Sequence, residues 1–122
     1  METGKNRNDP LRERSLDFAV AIVAACRHLR EKHREFSLAD QLLRSGTSIG
    51  ANLSEAVYAA SRPDFLNKNK IALKECSETL YWLTLARRCN LLPEETAHPL
   101  WTTCDQLRRM IISVCKTLES RK

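Results

Sequence analysis

Glycine and proline are scarce in this sequence, with three and four copies among 122 residues. So few turn formers argue against a sheet of many short strands and favour long helices joined by short turns. Aromatic residues make up 6%, and they do not alternate with basic residues as a base-stacking platform would require. The longest uninterrupted apolar run, FAVAIVAAC from Phe18 to Cys26, has nine residues. A bilayer span needs about 20, so no membrane partner is expected. A CxxC pair, a glycine-rich phosphate loop and a Ser/His/Asp set are all missing, which removes the common signatures of zinc, nucleotide and acyl-transfer sites. The cysteines number five, an odd count for a disulfide framework. Cys26, Cys76, Cys104 and Cys115 fall at apolar helical positions, where a free thiol behaves as a small hydrophobe. The opening fifteen residues are polar and charged, without a secretory signal, and the expected location is the reducing cytoplasm.

What is present is ordinary for a soluble domain: 43% hydrophobic and 29% charged residues. The length suits one domain over 1–122. Four amphipathic helices are predicted, at about 10–32, 37–60, 62–89 and 94–119. Asp9 and Pro10 form a start signal for the first helix, and Ser37 with Asp40 one for the second. Ser61 with Asp64 opens the third, and Asn90 suits a left-handed stop. Pro99 predicts a loose first turn in the fourth helix. The second helix carries a three-four seam of Leu42, Gly46, Ile49, Leu53, Ala56 and Ala60. In the fourth helix the seam is Leu100, Cys104, Leu107, Ile111, Val114 and Leu118. The fold class is all-α, an antiparallel up-down-up-down four-helix bundle.

RSGTSIGANLSEA, residues 44 to 56, is the unusual stretch. Gly46 lies in the core seam, where it lets another helix come close. Gly50 lies off the seam and suggests a bend. Arg44, Ser45, Ser48, Asn52 and Glu55 form a polar stripe flanking the core. Such a stripe must be hydrogen-bonded, either as a structural tie to a neighbouring helix or as a binding surface.

This stretch resembles the second-helix signature of the 23S ribosomal RNA intervening-sequence proteins, approximately R-S-x-x-S-I-P-A-N-I-A-E-G. Arg44, Ser45, Ser48, Ile49, Ala51, Asn52 and Glu55 match it. The likeness continues through FLNKNKIALKECSETLYWLTLARRCNLL and spans about residues 10 to 118. Gly50 replaces the family's usual proline and Ala56 its usual glycine, so the second helix is expected to run on past Glu55. The resemblance implies a bundle assembled into a homo-oligomeric ring, typically a homopentamer. It also extends to the accessory variability determinant of diversity-generating retroelements, a pentameric barrel that binds nucleic acid and a reverse transcriptase. Either partner is therefore implied here by resemblance alone, and most members of the family have no established activity.

Self-association is also suggested without the family. LYWLTLA, Leu80 to Ala86, is apolar at six of seven positions, more than one core face can use. Phe18, Ile22, Tyr81, Trp82 and Leu85 are the candidate oligomer interface.

Three enzymatic readings find little support. Glu95 and His98 have the spacing of a di-metal carboxylate motif, but no second copy exists. Arg27 and His33 match a loose bundle-ribonuclease spacing, at a helix end where cations already favour the dipole. Cys89 next to Arg87 and Arg88 fits a half-exposed helix-end cysteine as well as a reactive one. No catalytic residue, metal or cofactor is expected. Lys plus Arg exceed Asp plus Glu by 20 to 15, a mild excess that permits RNA or DNA as partners. Arg12, Arg14, Arg62, Lys68, Lys70, Lys74 and Lys116 are the candidate nucleic-acid-binding residues. A ring would multiply their weak field, reading backbone or shape. The alternative expectation is a protein-interaction scaffold that binds no nucleic acid.

Overall fold

A computed structural model describes residues 9–120, which fold as four helices: α1 Pro10–His33, α2 Phe36–Ala56, α3 Arg62–Arg88 and α4 Glu94–Ser120. No strand occurs among the described residues. α2 packs on α1 and α3, α3 packs on α4, and the α1–α4 seam is the least extensive. The core runs through all four: Ile22, Cys26 and Leu29 from α1, Leu42 and Ile49 from α2, Cys76 and Leu83 from α3, Cys104, Leu107 and Ile111 from α4. Each buried Leu or Ile contributes roughly 1.5–3 kcal/mol of apolar transfer energy.

The helix ends follow local chemistry. Asp9 caps α1 by accepting the Arg12 N–H at 3.2 Å, and Pro10 occupies the first turn. α1 stops at Arg34, which takes a left-handed conformation at φ 54° while its N–H donates to the Arg30 carbonyl at 3.1 Å. Ser61 caps α3 by accepting the Asp64 N–H at 3.2 Å, and the Asp64 carboxylate accepts the Ala60 N–H at 3.1 Å. Asn90 is left-handed at φ 59°, as its side chain tolerates.

Three boundary expectations change. α2 begins at Phe36 with Glu35 at the cap position, so Ser37 lies inside the helix. Asp40, offered as the partner of a Ser37 cap, pairs instead with Arg30 of α1 at 2.6 Å. α2 also ends at Ala56 instead of running to residue 60. The chain leaves it through consecutive tight bonds, Val57 to Ser54, Tyr58 to Glu55 and Ala59 to Ala56. These i→i−3 turns end a helix without any residue at positive φ, and the Ala60 N–H is already committed to the α3 cap. Pro99 is accommodated within a helix continuous from Glu94; in its first turn the Thr96 and Ala97 N–H groups share the Pro93 carbonyl, each at 2.9 Å.

Candidate functional site

The signature stretch of α2 presents two different faces. Toward α1 it offers glycine. A Cβ at Gly46 would lie 2.9 Å from Ile22 Cγ2 and 3.0 Å from Cγ1, and Ile22 is fully buried. A Cβ at Gly50 would lie 3.1 Å from Ser15 Oγ and 3.4 Å from the Ser15 carbonyl oxygen. Gly50, off the apolar seam, therefore serves a close helix approach one turn from Gly46. The bend suggested by its position is not needed to explain it.

Toward α3 the same helix offers polar groups. The buried hydroxyls of Ser45 and Thr79 lie 2.9 Å apart, and Thr79 Oγ1 donates within 2.8 Å of the Glu75 carbonyl. Arg44 pairs with Glu75 at 3.4 Å and, more closely, with Glu78. Glu78 Oε2 also accepts the Trp82 indole N–H at 2.9 Å. Glu55 accepts from Lys68 at 3.1 Å. Ser48 and Asn52 turn inward along α2, donating to the Arg44 carbonyl at 2.6 Å and the Ser48 carbonyl at 2.9 Å. Arg44, Ser45 and Glu55 thus reach α3, while Ser48 and Asn52 bond within their own helix.

Thr79 and Asn69 are buried α3 residues that no sequence motif singles out. A signal for both existed. With Ala72, Cys76, Leu83 and Ala86 they complete a three-four alternation, and their polarity alone concealed it.

The interface candidates divide. Phe18 and Ile22 are 2% and 0% exposed, inside the subunit's own core. The expected interface position is not theirs: helical phase turns them inward and leaves Leu16, Val20 and Val23 as the exposed apolar stripe of α1. Tyr81 is 62% exposed and Leu85 37%. Trp82 is half-buried and packs edge-on against Tyr81.

The basic candidates divide too. Lys68 is held by Glu55, and Lys70 by Glu119 at 2.8 Å, a hydrogen bond that raises the Lys70 pKa. Arg14, Arg62, Lys74 and Lys116 are exposed and have no ion-pair partner among the described residues. One Arg14 nitrogen lies 3.9 Å from the Met110 sulfur. Arg12 is half-buried at the start of α1.

The catalytic readings gain no geometry. Arg27 and His33 are six residues apart on α1, about 120° apart around the helix, so they do not face one point. The His33 ring instead packs edge-on against His28. Glu95 and His98 belong to no group of three or more metal-capable side chains among the described residues. Burial pushes the Cys26 thiol up to about 11. The Cys104 thiol is raised as well, by its hydrogen bond with Cys76 and by burial.

These features define a small helical protein: a four-helix bundle whose second helix is fitted sterically to one neighbour and by polar bonds to another. A family model described as 23S rRNA-intervening sequence protein matches residues 9–113, and the chain belongs to that family. A crystallised Bacteroides thetaiotaomicron protein, described as of unknown function and from the S23 ribosomal protein family, is 43% identical. The match covers 87% of this chain and 98% of that one, with a TM-score of 0.85. No curated protein matches the sequence. No described helix is long and apolar enough to cross a membrane.

Proposed function

We propose that this chain is a non-enzymatic, cytoplasmic bundle that assembles with copies of itself and binds nucleic acid through multivalent basic surfaces. The observation that carries the binding is the set of exposed cations Arg14, Arg62, Lys74 and Lys116, none neutralised by a described acid. One subunit's field is weak, but identical patches on linked copies act together on a polyanion. Assembly is supported by the apolar stripe Leu16, Val20 and Val23 and by exposed Tyr81 and Leu85, since contiguous apolar surface marks interaction sites. The ring, and its count of five, come from the family resemblance. Up-down-up-down order is supported by contact pairs whose numbers rise on one helix as they fall on the next. Such pairs are Ser15–Gly50 with Ile22–Gly46, and Ser45–Thr79 with Glu55–Lys68.

The test is binding of a labelled structured RNA and a labelled duplex DNA across a salt series, with oligomer mass measured in the same buffers. Affinity should fall steeply with salt on a single oligomeric species. Neutralising Arg14, Arg62, Lys74 and Lys116 to Gln should flatten that slope. An intact oligomer that binds neither probe at low salt would overturn the reading. A protein-interaction scaffold would then stand, favoured by Tyr58 at 80% and Phe36 at 53% exposure.

A further inference from the structure

The exposed residues Leu16, Val20 and Val23 of α1 follow spacings of four and three, which put them on one stripe of the helix. The same stripe continues to Glu13 at one end and to Arg27 at the other. Both are exposed, and neither has an ion-pair partner among the described residues. Glu13 stands seven residues before Val20, and Arg27 stands seven residues after it. The stripe therefore has an apolar centre and opposite charges at equal distances, about 10 Å either way along the helix axis. Space is open beside it. A groove of about 400 Å³ runs between α1 and α2 next to Leu16 and Ala19, and the α2 residues that line it are Thr47, Gly50, Ala51 and Ser54, all short. No long side chain of α2 stands there to hold a second helix away.

A stripe of this kind is its own complement. Laid antiparallel on a second copy about a twofold axis at Val20, it sets Val20 against Val20, Leu16 against Ala24, and Glu13 against Arg27 of the partner subunit. The symmetry repeats each unlike pair, so two opposite-charge pairs bracket an apolar centre. The exposed stripe of α3 fails the same test: Lys74 and Arg88 stand seven residues either side of Tyr81 and would meet as like charges. We infer that the outer face of α1 is a twofold contact between two copies of this chain, centred on Val20 and oriented by Glu13 and Arg27. The inference rests on the self-assembly reading above and names one surface for it. A twofold contact joins like patches and closes on two copies, whereas a ring contact joins unlike patches. The α1 contact is therefore separate from the one that would close a ring, and a ring bearing it would pair with a second ring.

The experiment measures oligomer mass over a protein dilution series for wild type, Glu13→Arg, Arg27→Glu and the double variant. Both positions are exposed, so every variant should keep the wild-type far-UV spectrum. Each single reversal sets like charges together twice. It should weaken the contact about tenfold and halve the mass at concentrations where wild type stays intact. The double variant restores both opposite-charge pairs and should recover the wild-type mass. An equimolar mixture of the two single variants should recover it too, because each supplies the charges that the other lacks. Val20→Asp puts two carboxylates on the axis and should lose the contact, with the subunit still folded because Val20 is 65% exposed. Single reversals that leave the mass unchanged, or an odd number of copies in the wild-type oligomer, would overturn the twofold contact and leave self-assembly standing. Halving that neither the double variant nor the mixture reverses would overturn it as well. A monomeric wild type would overturn both this contact and the assembly reading.

Discussion

The two faces of α2 solve one packing problem by opposite means. Toward α1 the helix removes side chains: Gly46 and Gly50 sit against Ile22 and Ser15, and a Cβ at either would fall 2.9–3.1 Å from them. Toward α3 it extends side chains: Arg44, Ser45 and Glu55 reach Glu75, Glu78, Thr79 and Lys68. The first face is set by shape, which fails abruptly when a methyl group is added. The second is set by hydrogen bonds and half-exposed ion pairs, whose net worth is small because water competes for every partner. In this chain, the stretch that mixes glycines and polar residues is therefore two interleaved registers, each read by a different neighbour.

The largest effect expected is at the steric face. Gly46→Val gains helix propensity over glycine, at most about 1 kcal/mol, and drives a branched side chain into a fully buried isoleucine. Overpacking should win and destabilise by about 3 kcal/mol in denaturant unfolding. Ile22→Ala alone should cost on the order of 3 kcal/mol by opening a cavity. The double variant should cost clearly less than the sum, because each change relieves the other. Additive losses would show that Gly46 and Ile22 do not meet.

The same α1–α2 side carries a pH effect. Cys26 is buried on α1 near Arg30 and Asp40, and burial raises its thiol from 9.0 to about 11. The folded value exceeds the unfolded one, so the native state favours the protonated thiol. The associated stability is complete below pH 9 and is lost as pH rises through about 11, a total on the order of 2 kcal/mol. Stability measured from pH 8 to 11 should fall less in Cys26→Ala than in wild type. Some alkaline loss should persist in the variant, because the Cys104 thiol is raised too. An identical slope in both proteins would remove Cys26 from the account.

Much of this contrast was legible in the sequence, and what was missed has a physical reason. The caps at Asp9 and Ser61 act through adjacent residues, so their chemistry is local and readable. The end of α2 lies in three successive i→i−3 bonds from Val57 to Ala59, a stop that no glycine or other positive-φ residue marks in the sequence. Phe18 and Ile22 were assigned outward because an unbroken apolar run hides helical phase; the fold turns Leu16, Val20 and Val23 to the surface instead. Gly50 gave no sign of its purpose, since its contact is a hydroxyl and a carbonyl of another helix. Thr79 and Asn69 hold regular core spacing on α3, and their polarity hides them from a pattern of apolar positions.

The polar face should yield the smallest effect and the sharpest contrast. Ser45→Ala removes one of two buried hydroxyls 2.9 Å apart, yet Thr79 keeps the Glu75 carbonyl as its acceptor. The expected cost is about 1 kcal/mol. Thr79→Val leaves the Ser45 hydroxyl with the Leu42 carbonyl at 3.5 Å, a poor bond, so its cost should be slightly larger. Removing both groups leaves no polar atom of the pair to desolvate, and Ser45→Ala with Thr79→Val should be less destabilised than the two losses summed. The measurement is a double-variant cycle by chemical unfolding. A coupling near zero would mean that the hydroxyls only satisfy their own helices, and that Arg44 with Glu75 and Glu78 joins α2 to α3 without them. A clear coupling, set beside the larger Gly46–Ile22 term, would establish that α2 is placed by shape on one side and adjusted by hydrogen bonds on the other.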